Sequence, residues 1–105
     1  MDDLVVVKLC GQLDLFNAPS FKSWINDSFI ESGKRFIALD LSEVESMDSF
    51  ALGVLISIYK NLRLKKGMLF LVSPQNSVKR VIEITSLDRI IPVVESVSEA
   101  LERIK

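Results

Sequence analysis

An α/β domain built on a largely parallel sheet is the fold this sequence predicts, and three observations carry that expectation. Short apolar runs alternate four times with amphipathic stretches, the pattern of successive β-α units. The chain has 105 residues, a length that fits one compact domain over residues 1–105. Hydrophobic residues make up 49% of it, enough to bury a core without disulfide or metal staples.

The first apolar run, Leu4 to Leu9, is rich in valine and predicts a strand. Gly11 then loosens the backbone before Leu13 and Asp14. Asn17 is a good N-cap for a helix from Ala18 to about Glu31, ending near Gly33 and carrying Phe21, Trp24, Ile25 and Ile30 on its apolar side. Phe36 to Leu39 is a short continuous apolar run suited to a buried second strand. The polar stretch from Ser42 to Asp48 reads as a link into the longest helix, from about Phe50 to Lys65, stopped by Gly67. Met68 to Val72 predicts the third strand, and Ser73-Pro74 reads as an N-cap with proline at the first position of a helix running to about Ile84. The fourth unit pairs a strand over Ile90 to Val94 with a last helix opened by the capping box Ser96-Val97-Ser98-Glu99. Val97, Ala100, Leu101 and Ile104 are its apolar positions. No linker, strong repeat or low-complexity segment interrupts the series.

Composition excludes several function classes. Charges of both signs are interspersed and the formal net charge is −1, without the basic stripe of a nucleic-acid binder. No apolar run is long enough to span a bilayer. The acidic start Met1-Asp2-Asp3 is unlike a secretion signal, so a cytoplasmic protein is expected. Cys10 is the single cysteine and histidine is absent. No disulfide, CxxC zinc site or histidine-based nucleophile system can be built from such a chain, and neither cofactor nor metal is expected.

Two places stand out as candidates for function. On the long helix Ala51, Val54, Leu55, Ile58 and Leu62 follow the spacing of one buried face. Leu52, Ile56 and Tyr59 form a second apolar row beside it, either covered by flanking helices or partly open as a docking surface. Ser49 lies where the polar link meets this helix. A serine there commonly serves as an N-cap. The same place suits phosphate, because free N–H groups and the positive dipole end stabilise an anion. A phosphate on Ser49 adds about −1.5 to −2 charge without melting the helix, so its effect falls on whatever docks there. Asp14 and Asp48 fall near one end of the sheet, but no polar cluster accompanies them, and an acid/base pair is a weak reading.

The stretch Leu39-Asp40-Leu41-Ser42, then Met47-Asp48-Ser49-Phe50-Ala51-Leu52-Gly53-Val54-Leu55 on to Tyr59-Lys60, resembles the core of the STAS family. That family is named for sulphate transporters and anti-sigma factor antagonists. Gly11-Gln12-Leu13-Asp14 with Ala18, and later Leu69 to Val72 with Val78-Lys79-Arg80-Val81, match other blocks of the pattern, so the likeness covers nearly the whole chain. The resemblance implies a single STAS domain and an antagonist that binds an anti-sigma factor when unphosphorylated and so frees a sigma factor. It implies that this partner is a serine kinase acting on Ser49 with ATP, and that a serine phosphatase resets the cycle. Asp14, Asp48, Phe50, Leu52, Ile56 and Tyr59 are the partner-contact candidates carried over, and no catalytic role is expected. Two departures stand out. Phe50 and Ala51 replace a small polar residue and a glycine of the family's frequent Asp-Ser-Ser-Gly, and only Met1-Asp2-Asp3 precede the first strand where relatives usually have another. An open edge, and a weak homodimer through it, is the expectation.

Two other readings stand beside this one. One is a non-phosphorylated STAS subunit of a stress-sensing or lipid-transport complex, and the other a small enzyme using Asp14 and Asp48. A neighbouring gene for a GHKL-type ATPase kinase favours the antagonist, and transporter genes favour the subunit.

Overall fold

The computed structural model describes residues 4–104. Four strands form one parallel sheet in the order β1 (Leu4–Leu13), β2 (Phe36–Met47), β3 (Met68–Val72), β4 (Val93–Val94). Helices α1 (Ala18–Ile25), α2 (Ser49–Leu64), α3 (Asn76–Ile84) and α4 (Val97–Arg103) follow the strands in turn. Alternating side chains split the core in two. Val7, Ile37, Leu39, Leu41, Leu69 and Leu71 face the cluster shared with Ile25, Leu55, Ile58, Leu62, Val78 and Ile82 of the first three helices. Ala38, Phe70, Val72 and Val94 face the opposite way, under Ala100 of α4. Residues 1–3, which precede β1 where relatives usually have another strand, lie outside the described ones.

The largest departure from expectation is β2, which runs on through the stretch expected to be a polar link. Lys8 faces Asp40 but Cys10 faces Glu43, and Gly11 faces Val44 but Gln12 faces Ser46. Each step leaves one extra residue on β2, so two bulges lie within it. The bulges convert the period of two into a period of three, and Leu41, Val44 and Met47 are the buried positions. Polar groups freed by this irregularity are taken up locally. The Ser42 N–H donates to Asp40 Oδ1 at 2.9 Å, Gln75 Nε2 donates to the Ser42 carbonyl at 2.9 Å, and Ser77 Oγ donates to the Glu45 carbonyl at 3.1 Å. That first bond, chiefly, holds the Asp40 carboxyl below the usual carboxylate range.

Other boundaries move for equally local reasons. Helix α1 stops at Ile25 and widens into a π-turn over Asn26–Ile30. Ser73 takes a left-handed φ of 54° and donates its N–H to the Val94 carbonyl, so α3 starts at Asn76 rather than on a Ser73 cap. Strand β4 keeps only two residues, because Pro92 has no N–H to offer a longer ladder. Ser96 does cap α4, accepting from the Glu99 N–H at 3.1 Å, while Glu99 Oε1 accepts from the Glu95 N–H instead of the Ser96 one. Gly67 follows α2 where a Cβ would overlap the Arg35 carbonyl, the acceptor for the Met68 N–H.

Candidate functional site: the Ser49 end of the sheet

The long continuation of β2 delivers Asp48 and the start of α2 beside the end of β1, where the Asp48 N–H donates to the Leu13 carbonyl at 3.3 Å. Asp48, not Ser49, is the N-cap. Its backbone is extended (φ −96°, ψ 178°) and its Oδ1 accepts from the Ala51 N–H at 2.9 Å. Its Oδ2 accepts from the Leu15 N–H at 3.0 Å. One carboxylate therefore ties the β1–α1 loop to the start of α2.

Ser49 becomes the first residue of α2, exposed, and its hydroxyl makes no hydrogen bond among the described residues. The expectation of a capping serine gives way to a free hydroxyl beside the first-turn amides.

Asp14 belongs to the same end but serves the loop. Its Oδ1 accepts from the Phe16 N–H at 2.9 Å and from the Asn17 N–H at 3.3 Å. Asn17 does not cap α1. It accepts the Asp14 N–H on Oδ1 at 2.9 Å and donates Nδ2–H to the Gln12 carbonyl at 2.7 Å. Asp14 and Asp48 are thus brought near each other as acceptors of backbone N–H groups. Such an arrangement fixes a loop and supplies no evident proton-transfer chemistry.

The remaining candidates divide by burial. Phe50 is 44% exposed beside Ser49, whereas Ala51 is fully buried and faces the core. Leu52 is 8% exposed and belongs to the core, so it offers a partner little surface of its own. Ile56 and Tyr59 are half-buried against the same core. The second row is therefore largely covered, and its docking share reduces to the open sides of Ile56 and Tyr59. Two residues that sequence reasoning passed over lie in the loop that Asp48 ties to the start of α2. Leu15 is 53% and Phe16 90% exposed in the loop that Asp48 holds. The available signal was two consecutive large apolar residues set between the turn formers Asp14 and Asn17.

Among the described residues no group of acidic, cysteine or histidine side chains could hold a metal, and no helix is long and apolar enough to cross a membrane.

Comparison with known proteins agrees with this geometry. The family model for the STAS domain matches residues 1–100. A Thermotoga maritima protein named as a candidate anti-sigma factor antagonist is 42% identical over 105 residues, covering 100% of this chain and 93% of its own. A crystal structure of such a protein from the same organism superposes with a TM-score of 0.92 at 43% identity, covering 98% of this chain and 88% of the other. The anti-sigma-B factor antagonist of Listeria monocytogenes is 32% identical over 91 residues, which is 87% of this chain and 79% of that protein. An anti-sigma factor antagonist from Mycobacterium paratuberculosis has a TM-score of 0.84 at 27% identity, covering 98% and 86% of the two chains. With its parallel sheet, its Asp48-capped helix and a family match along nearly its full length, the chain belongs to the STAS domain family.

Proposed function

We propose that the chain is an anti-sigma factor antagonist. Its unphosphorylated form binds an anti-sigma factor that is a serine kinase, and phosphorylation of Ser49 ends that binding. The observation that carries the proposal is the division of labour between Asp48 and Ser49. Because the aspartate caps α2, the serine hydroxyl is exposed and uncommitted. A kinase can take it without dismantling the helix start. The product would sit beside the amides of the first turn, which tolerate a dianion.

The placement of Phe50 and Ala51 is compatible with this chemistry. Ala51 points into the core and Phe50 leaves Ser49 exposed. The partner contacts proposed are Asp14, Asp48, Phe50, Ile56 and Tyr59, with Leu52 supporting them from beneath. A serine phosphatase would reverse the modification. The test is incubation with an anti-sigma kinase and ATP, followed by phosphosite mass spectrometry. Wild type should gain one phosphate on Ser49 and Ser49→Ala none. Labelling of the alanine variant at the wild-type level would refute the assignment.

A further inference from the structure

We infer that Phe16 is the anchor by which the partner kinase recognises this chain, an inference that rests on the proposed function and adds a residue to it. Phe16 is 90% exposed, more than any other large hydrophobic residue described. It is also rigidly presented, because its own backbone is fixed by side chains rather than by packing of its ring. The Phe16 N–H donates to Asp14 Oδ1 at 2.9 Å, the Leu15 N–H to Asp48 Oδ2 at 3.0 Å, and Asn17 Nδ2–H to the Gln12 carbonyl at 2.7 Å. An aromatic ring held in water by a pre-ordered loop loses little backbone freedom when a partner covers it, which is how a few residues come to dominate an interface.

The occupant follows from position. Leu15 is bonded to Asp48, the residue before Ser49, and Phe50 is the residue after it. An active site that reaches the Ser49 hydroxyl comes against Phe50 and the loop that Asp48 ties to the start of α2, where Leu15 and Phe16 are the exposed apolar side chains it can cover. The same arrangement accounts for the switch. Once Ser49 carries a phosphate, the interface must desolvate a dianion beside apolar side chains and the Asp48 carboxylate, and the complex loses affinity.

The experiment is calorimetric binding of the anti-sigma kinase that labels the wild-type chain, loaded with ADP. It uses the full-length chain as wild type, Phe16→Ala, Phe16→Trp and Leu64→Ala, with thermal melting of each. Leu64 is 83% exposed and closes the far end of α2, about 22 Å along the helix from Ser49, so it controls for loss of any exposed apolar residue. Phe16→Ala should weaken binding by about tenfold or more at an unchanged melting temperature. Phe16→Trp and Leu64→Ala should bind within about threefold of wild type. Wild-type affinity in Phe16→Ala, or an equal loss in Leu64→Ala, would overturn the inference and leave the proposed function intact. Absence of any kinase that labels or binds wild type would overturn both.

Discussion

Asp48 and Ser49 are adjacent residues of nearly equal capping propensity, so their order along the chain could not say which one closes α2. The structure decides it through the second oxygen of Asp48, which the Leu15 N–H engages from 33 positions away. The consequences at this scale are separable. Ser49→Ala removes no capping bond and should change unfolding free energy by no more than about 0.5 kcal/mol. Asp48→Ala strands two backbone donors and should cost about 1–3 kcal/mol. Urea titration of both variants checks the pair. The opposite ranking, with Ser49→Ala the more damaging, would return the cap to Ser49. Phe16 was marked only by its pairing with Leu15 between turn formers, and its exposure was illegible for a related reason. Exposure in a loop is set by where Asp14, Asn17 and Asp48 place the backbone, and no periodicity reports that.

The elements best read from sequence are those whose local pattern and tertiary role agree. Strand β3 was predicted over Met68–Val72 and is found there, a continuous apolar run with neighbours on both sides. The serine cap of α4 was legible too, since Ser96 and Glu99 are in bonding range by sequence alone. Strand β2 was half legible. Its first residues, Phe36–Asp40, pair with both neighbours, whereas the continuation to Met47 pairs only with β1 and is bulged twice. Its burial at every third residue looks like no strand. Side chains of Gln75 and Ser77 substitute there for the missing neighbour. Replacing both by alanine should cost about 1–3 kcal/mol, measured by thermal melting. An unchanged midpoint would mean those carbonyls are satisfied by water. Asp40 supplies the pH dependence of this region. Its folded-state pKa lies below the ordinary value, chiefly through the Ser42 N–H. Its stabilisation is therefore present above the unfolded pKa and lost as pH falls through the folded one. The melting-temperature gap between wild type and Asp40→Asn should be present at about pH 7 and shrink towards about pH 2. A gap independent of pH would show that Asp40 acts by packing instead of charge.

At the scale of the molecule, the sheet has helices on both faces, and of its two edge strands β1 is the longer. Among the described residues the outer edge of β1 is unpaired, and Val6 on it is 47% exposed. Lys8, in an ion pair with Glu43 at 2.9 Å, and the left-handed Gly11 (φ 81°) limit the flat part of that edge to a few residues. Weak self-association at millimolar concentration is the expected result. Proline at whichever of Val5 and Val6 turns its N–H outward should abolish it. Light scattering that finds only monomer for the wild type would contradict this. The parallel α/β architecture was legible because four repeats of the β-α pattern leave few alternatives. The surface surrounding Ser49 was only partly so: the sequence put Asp14 and Asp48 at one end of the sheet, but the placing of Leu15 and Phe16 depends on a bond that reaches across 33 positions. The central claim is that one phosphate on Ser49 governs partner binding, and its most direct test is calorimetric titration of the anti-sigma kinase with this chain before and after stoichiometric phosphorylation. The account predicts that phosphorylation weakens binding by about a hundredfold or more, some 3 kcal/mol, with the fold retained. Equal affinities for the two forms would contradict it.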